Sequence, residues 1–120
     1  MTKNQDSKPY DLEERTFTFA KMVRALAKKL PKTIANIEDG KQLLRASGSV
    51  GANYIEANES LSKKDFIMRI KICRKEAKES QYWLRLIDTD GLEQETDRKH
   101  LTKEAAELMN IFGAILQKSK

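Results

Sequence analysis

Between Phe66 and Ile87 the residues Phe66, Ile70, Cys73, Ala77, Ser80, Leu84 and Ile87 recur at steps of 4, 3, 4, 3, 4 and 3. An α-helix, with 3.6 residues per turn, gathers such positions onto one stripe, whereas a strand scatters them over both faces. The pattern is not confined to this stretch. Leu12, Thr16, Phe19, Val23, Leu26 and Leu30 step by 4, 3, 4, 3 and 4, and Leu101, Ala105, Leu108, Phe112 and Ile115 step by 4, 3, 4 and 3. A further apolar block carries Ile34, Ile37, Leu44, Val50, Tyr54, Ile55 and Leu61. No strand signal competes.

Caps and breakers divide these blocks. Asp11 with Glu14 forms an acidic capping box, and Pro31 ends the first helix, so helix one spans about 11–30. Thr33 caps helix two, which runs to about residue 60, and Ser62 with Asp65 opens helix three. Asp90 and Gly91 end helix three, and after a polar connection helix four spans about 97–118. Helices of this length are ~30–40 Å long and joined by short connections, so the fold predicted is all-α, an antiparallel up-down-up-down four-helix bundle. Steps of 3 and 4 favour shallow crossing angles.

At 120 residues the chain accommodates one domain at 11–120 behind a polar lead at 1–10. A charged fraction of 34%, with two prolines and five glycines, argues for salt-bridged helix faces and against disorder. One cysteine excludes an intramolecular disulfide, and no apolar run reaches the ~20 residues of a membrane span. The first ten residues lack the apolar stretch of a signal peptide, so no membrane partner and a cytoplasmic location are expected.

Helix two contains Gly48 and Gly51, each costing about 1 kcal/mol relative to alanine inside a helix. Ser47 and Gly51, like Gly48 and Ala52, lie four apart, so these four residues predict a strip along which a neighbouring helix approaches closely. A phosphate loop is excluded by context: no strand precedes the glycines and no Gly-Lys-Ser or Gly-Lys-Thr follows. Whether the helix continues through Gly48 and Gly51 stays open.

Catalytic constellations are scarce. His100 is the lone histidine, placed in the first turn of helix four as a surface residue. Glu56, Glu59, Glu76 and Glu79 read as a solvated face or structural ion pairs, and Cys73 lies on the core stripe as a small hydrophobe. The expectation is a protein that is not an enzyme, with no catalytic, metal or cofactor site and no small-molecule substrate.

Charge says more. The net charge is +5, and helix three carries an excess of bases. Lys64, Lys71, Lys75 and Lys78, with Arg74 among them, and Lys21, Arg24 and Lys28 on helix one each mark a basic helix face. Such faces either solubilise the protein or follow a phosphate backbone, and no aromatic residue is interleaved with the bases as in single-strand binders. Ile72, Trp83 and Leu86 form a second apolar set on helix three, beside the core stripe, with Ile67 nearby. Phe17, Met109 and Leu116 lie beyond the seams of helices one and four. The set on helix three either widens the core-facing stripe or is a self-association surface, and self-association would repeat the basic face around an axis.

The run Gln42-Leu43-Leu44-Arg45-Ala46-Ser47-Gly48-Ser49-Val50-Gly51-Ala52-Asn53-Tyr54-Ile55-Glu56-Ala57 carries a resemblance, with Ser62-Lys63-Lys64-Asp65-Phe66 and Lys75-Glu76-Ala77-Lys78-Glu79-Ser80-Gln81-Tyr82-Trp83-Leu84. It resembles the bacterial four-helix-bundle proteins encoded in intervening sequences of large-subunit ribosomal RNA genes, from Tyr10 to about Leu116. Many relatives carry proline where this chain has Gly51, which places it in a side branch. The resemblance implies an antiparallel bundle assembled as a cyclic homo-oligomer, a pentamer, with no known catalytic activity. A similar fold serves as the basic accessory subunit of reverse transcriptases in diversity-generating retroelements, where it binds nucleic acid and the polymerase. RNA or a nucleoprotein is the partner this implies, with a protein-protein adaptor as the alternative. Within the matching motif Arg45, Asn53, Glu56 and Glu76 are implied to form a structural polar network.

Overall fold

The computed structural model describes residues 11–120. The polar lead expected at 1–10 lies outside them. Four helices follow in order: α1 (Leu12–Lys29), α2 (Ile34–Asn58), α3 (Lys63–Leu86) and α4 (Leu92–Lys118). Among the described residues there is no strand. The predicted caps form: the side chains of Asp11, Thr33 and Ser62 each accept from the backbone N–H three residues on, at 3.3, 3.1 and 3.1 Å.

Each helix touches its neighbours in sequence, and α4 closes the ring against α1, which leaves α1 and α3 on a diagonal. Cross-helix contacts fix the directions. Between α2 and α3 with the residues just after it they pair Asn36 with Asp88, Arg45 with Glu76 and Asn53 with Arg69; between α1 and α4 they pair Arg15 with Glu104 and Lys29 with Glu93. Rising numbers on one helix meet falling numbers on the next, as an up-down-up-down bundle requires. Phe19, Leu26, Leu43, Ile70, Leu84, Leu108 and Phe112 are fully buried along the axis. Each such side chain contributes about 1.5–3 kcal/mol by leaving water.

In α2 and just beyond it the structure departs from the apolar pattern. Ile34, Ile37, Ile55 and Leu61 are exposed, Leu61 almost completely at 99%. The line facing the core runs through Asn36, Gly40, Leu43, Ser47, Val50, Tyr54 and Ala57, again at steps of 4 and 3. Small and polar side chains occupy half of this line, so hydrophobicity does not announce it. The helix is continuous through both central glycines. A Cβ on Gly51 would stand 2.8 Å from Thr16 Oγ1, so α1 passes close to α2 there, beside buried Ser47. Gly48 and Ala52 take no part in that contact: a Cβ on Gly48 would meet nothing within 4 Å, and Ala52 is exposed.

Helix four starts at Leu92, five residues before the expected boundary. Gly91, at φ 88°, adopts the left-handed backbone that lets the chain turn into α4, while α3 has already ended at Leu86. The segment read as a polar connection is therefore helix, its acids Glu93 and Glu95 facing the positive end of the helix dipole. His100 is exposed in the third turn of α4 and not in its first. Leu116 belongs to the core.

Candidate nucleic-acid interface

The site follows from how the bundle sorts its charges. On α4, Glu93, Asp97, Glu104 and Glu107 face α1: Glu104 and Glu107 accept from Arg15 at 2.7 and 2.9 Å, and Lys29 lies 3.9 and 3.7 Å from Glu93 and Asp97. The hydrogen bonds that Arg15 donates to Glu104 hold its guanidinium above its already high pKa. On α3, Glu76 and Glu79 face α2, 3.6 and 3.2 Å from Arg45. With these acids drawn to those two seams, Glu95 is the acid that lines the recess between α3 and α4, among several bases.

On α3, Lys71, Arg74, Lys78, Gln81 and Arg85 follow one line at steps of 3, 4, 3 and 4. The Arg74 stem lies 3.9 Å from where a Cβ on Gly113 of α4 would stand, which sets this line beside α4. Across it, Gln81, Arg85, Glu95, Arg98, Lys99, Thr102 and Lys103 surround an open recess of about 420 Å³. Glu95 is held there by Arg98, whose hydrogen bonds keep its carboxyl below the usual range, helped by the Thr89 hydroxyl at 2.8 Å. The Arg98 guanidinium also donates to the Arg85 carbonyl at 3.2 Å. Among the described residues, Lys71, Arg74, Lys78, Arg85, Lys99 and Lys103 have no acidic partner within ion-pair distance. Lys99 shares its field with Glu95, while the others keep theirs and attract polyanions.

The other residues singled out in the sequence distribute as follows. Lys71, Arg74 and Lys78 belong to the groove line, while Lys64 and Lys75 are exposed elsewhere on α3. Lys21, Arg24 and Lys28 stand exposed on α1, on the diagonal from α3, so the two basic faces do not merge within one chain. Phe17, 59% exposed, precedes them at the same spacing, so an aromatic ring does stand in line with bases on α1. Arg45 and Glu76 pair, whereas Asn53 accepts from Arg69 at 3.0 Å and donates to Ser49. Glu56 is exposed and stands apart from both. Ile72 and Trp83 are half-buried and Leu86 is exposed; Trp83 packs against the core and meets Tyr82 edge-on at 5.0 Å.

Cys73 is fully buried, and burial pushes its thiol up to about 12, which removes it as a nucleophile near neutral pH. No cluster of three or more His, Cys, Asp or Glu side chains among the described residues is placed to hold a metal. No described helix is long and apolar enough to cross a membrane. Sequence reasoning missed Arg85, Arg98, Lys99 and Lys103 as site residues. The acids of α4 are interspersed with its bases and mask them in any running sum, though sorting α4 by helical face separates the two signs.

Comparison with known proteins decides the family. The family model of the 23S rRNA-intervening sequence protein matches residues 9–114. The chain belongs to this family. Among solved structures, a protein of unknown function from the S23 ribosomal protein family of Bacteroides thetaiotaomicron VPI-5482 superposes with a TM-score of 0.74 at 28% identity. The match covers 88% of this chain and 97% of that one. No curated protein matches the chain. The chain thus shares with this relative the bundle fold that sets α3 beside α4.

Proposed function

We propose that this chain is a non-enzymatic, oligomeric scaffold that binds RNA or a ribonucleoprotein through the α3–α4 groove. The observation that carries the reading is the segregation of charge: most acids of α3 and α4 are engaged on the α2 and α1 seams, and Arg85, Arg98, Lys99 and Lys103 surround one recess whose single acid, Glu95, is held by Arg98. Cations arranged along a groove bind phosphates and release their counterions, so affinity falls steeply with salt. Assembly is supported by the apolar residues outside the core on α3, where Met68, Tyr82 and Leu86 are each about half exposed. An oligomer repeats the groove and raises avidity without new contacts.

Filter binding of labelled ribosomal RNA fragments to the intact protein at low salt tests the reading. The triple variant Arg85→Glu/Lys99→Glu/Lys103→Glu should bind at least ~10-fold more weakly, equivalent to about 1.4 kcal/mol. The matching α1 variant, Lys21→Glu/Arg24→Glu/Lys28→Glu, should lose less. Equal retention by wild type and groove variant, or no retention by wild type, contradicts the reading. Light scattering on a size-exclusion peak tests assembly: a stable 13.8 kDa monomer would remove the avidity argument and leave the α3 apolar face to a protein partner, the adaptor alternative.

A further inference from the structure

The face of α3 opposite its core stripe carries Lys64, Lys71, Lys75, Lys78, Tyr82 and Arg85 at steps of 7, 4, 3, 4 and 3, and all six are exposed. Such steps keep them on one line of the helix, which extends for ~32 Å at the helical rise. No acid of α3 stands in that line: Glu76 and Glu79 turn to Arg45 of α2, and Asp65 lines the cleft at the α2–α3 turn with Glu56 and Glu59. The sequence does not mark a ring among these bases, yet the helix puts one there. Tyr82 follows Lys78 by four residues and precedes Arg85 by three, so it is a surface neighbour of both. Its ring is 56% exposed and meets Trp83 at a centroid distance of 5.0 Å and an interplanar angle of 82°. Trp83 packs against the core and so gives the ring a fixed neighbour. A near-perpendicular contact engages one face of a ring at most, so Trp83 leaves at least one face of Tyr82 uncovered.

We infer that the outward line of α3 takes single-stranded RNA, its phosphates following the five bases and one nucleobase stacked on Tyr82. This rests on the RNA reading above and specifies both the form of RNA and the residue that holds a base. Single-strand binders combine a positive surface that tracks the backbone with aromatic rings on which bases stack, and every base offers such a face, so sequence matters little. In a duplex the base faces are already stacked on one another, whereas an unpaired base can splay out onto a side chain. Arg85 ends the line and also lines the α3–α4 recess, so the line leads to Arg98, Lys99 and Lys103. A second copy of the chain seated on Tyr82 would take Lys78 and Arg85 out of water with no acid of α3 beside them. An RNA strand supplies the counter-charge with its phosphates.

Fluorescence anisotropy on the intact protein at low salt tests this with an unstructured RNA strand of about 12 nucleotides, its duplex with the complementary strand, and an abasic strand of equal length and charge. The single strand should bind at least ~5-fold more tightly than the duplex or the abasic strand. Tyr82→Ala should weaken the single strand at least ~5-fold, the lower end for one stacked base, and the abasic strand less than ~2-fold. Tyr82→Phe, which keeps the ring, should stay within ~2-fold of wild type on all three probes. Light scattering should give both variants the mass of the wild type. Equal or tighter binding of the duplex or the abasic strand, a Tyr82→Ala variant that binds the single strand like wild type or loses both strands equally, a Tyr82→Phe variant as weak as Tyr82→Ala, or a changed mass overturns the inference and leaves the RNA reading standing. Failure of every probe to bind overturns both.

Discussion

Gly51 and Gly48 lie three residues apart in one helix, yet their surroundings are opposite. Thr16 Oγ1 is held by a 2.6 Å hydrogen bond to the Leu12 carbonyl, so it cannot simply swing away from a new methyl 2.8 Å off on residue 51. Gly51→Ala should therefore destabilise the bundle by about 1–3 kcal/mol, because overpacking outweighs the gain in helix propensity. Gly48→Ala, with open space around it, should stabilise by about 0.5–1 kcal/mol through the unfolded chain. Urea melts of the two variants check both signs. At Cys73 the thiol is neutral when folded up to about 12 against an ordinary value of 9.0, so the thiolate population is lowered about a thousandfold. The stability linked to this raised value is fully present below about pH 9 and is lost as pH rises towards 12. Native protein should react with a thiol reagent at pH 8 only as fast as it opens; fast, stoichiometric labelling without unfolding would contradict the burial.

At the scale of elements, the ends of the helices are tied by side chains that periodicity does not mark. Asn36, buried on the core line of α2, donates to the Pro31 carbonyl at 3.0 Å and the Asp88 carbonyl at 2.9 Å, and accepts from the Asp88 N–H at 2.9 Å. One amide thus ties the α1–α2 connection to the end of α3. Asn36→Ala leaves these backbone groups without their partner and should cost about 2–4 kcal/mol, measured by thermal unfolding. A loss below 0.5 kcal/mol would mean that water replaces the amide. At the start of α4, the lowered Glu95 value has the opposite sign to that of Cys73: its stabilisation is present above the unfolded carboxylate value and is lost as pH falls through the folded one. The stripes of α1 and α3 were legible because large apolar residues fill them, and the caps because Asp, Thr and Ser accept from the third residue on. The core line of α2 was not, since Asn36, Gly40 and Ser47 lack the hydrophobic signal, and the beginning of α4 was hidden because its early turns are polar on nearly every side. The basic groove was half legible. Its α3 row lies on one helical face, but its α4 partners become neighbours only once the helices pack.

For the whole molecule, net charge matters less than where the bundle puts it. A charge of +5 spread evenly would attract polyanions weakly, whereas acids gathered at the α1–α4 and α2–α3 seams leave Lys71, Arg74, Lys78, Arg85, Lys99 and Lys103 to act together. If these six bases each neutralise one phosphate, the logarithm of RNA affinity should fall against the logarithm of salt with a slope of about −4 to −5.5 per chain. Reversing Arg85, Lys99 and Lys103 should flatten that slope by about 2 or more. The most direct test of the account is this salt titration, run by anisotropy on the intact wild type and the groove variant with the same RNA. It predicts a steep line for the wild type and a much shallower one for the variant. Parallel lines, or an affinity indifferent to salt, would contradict it.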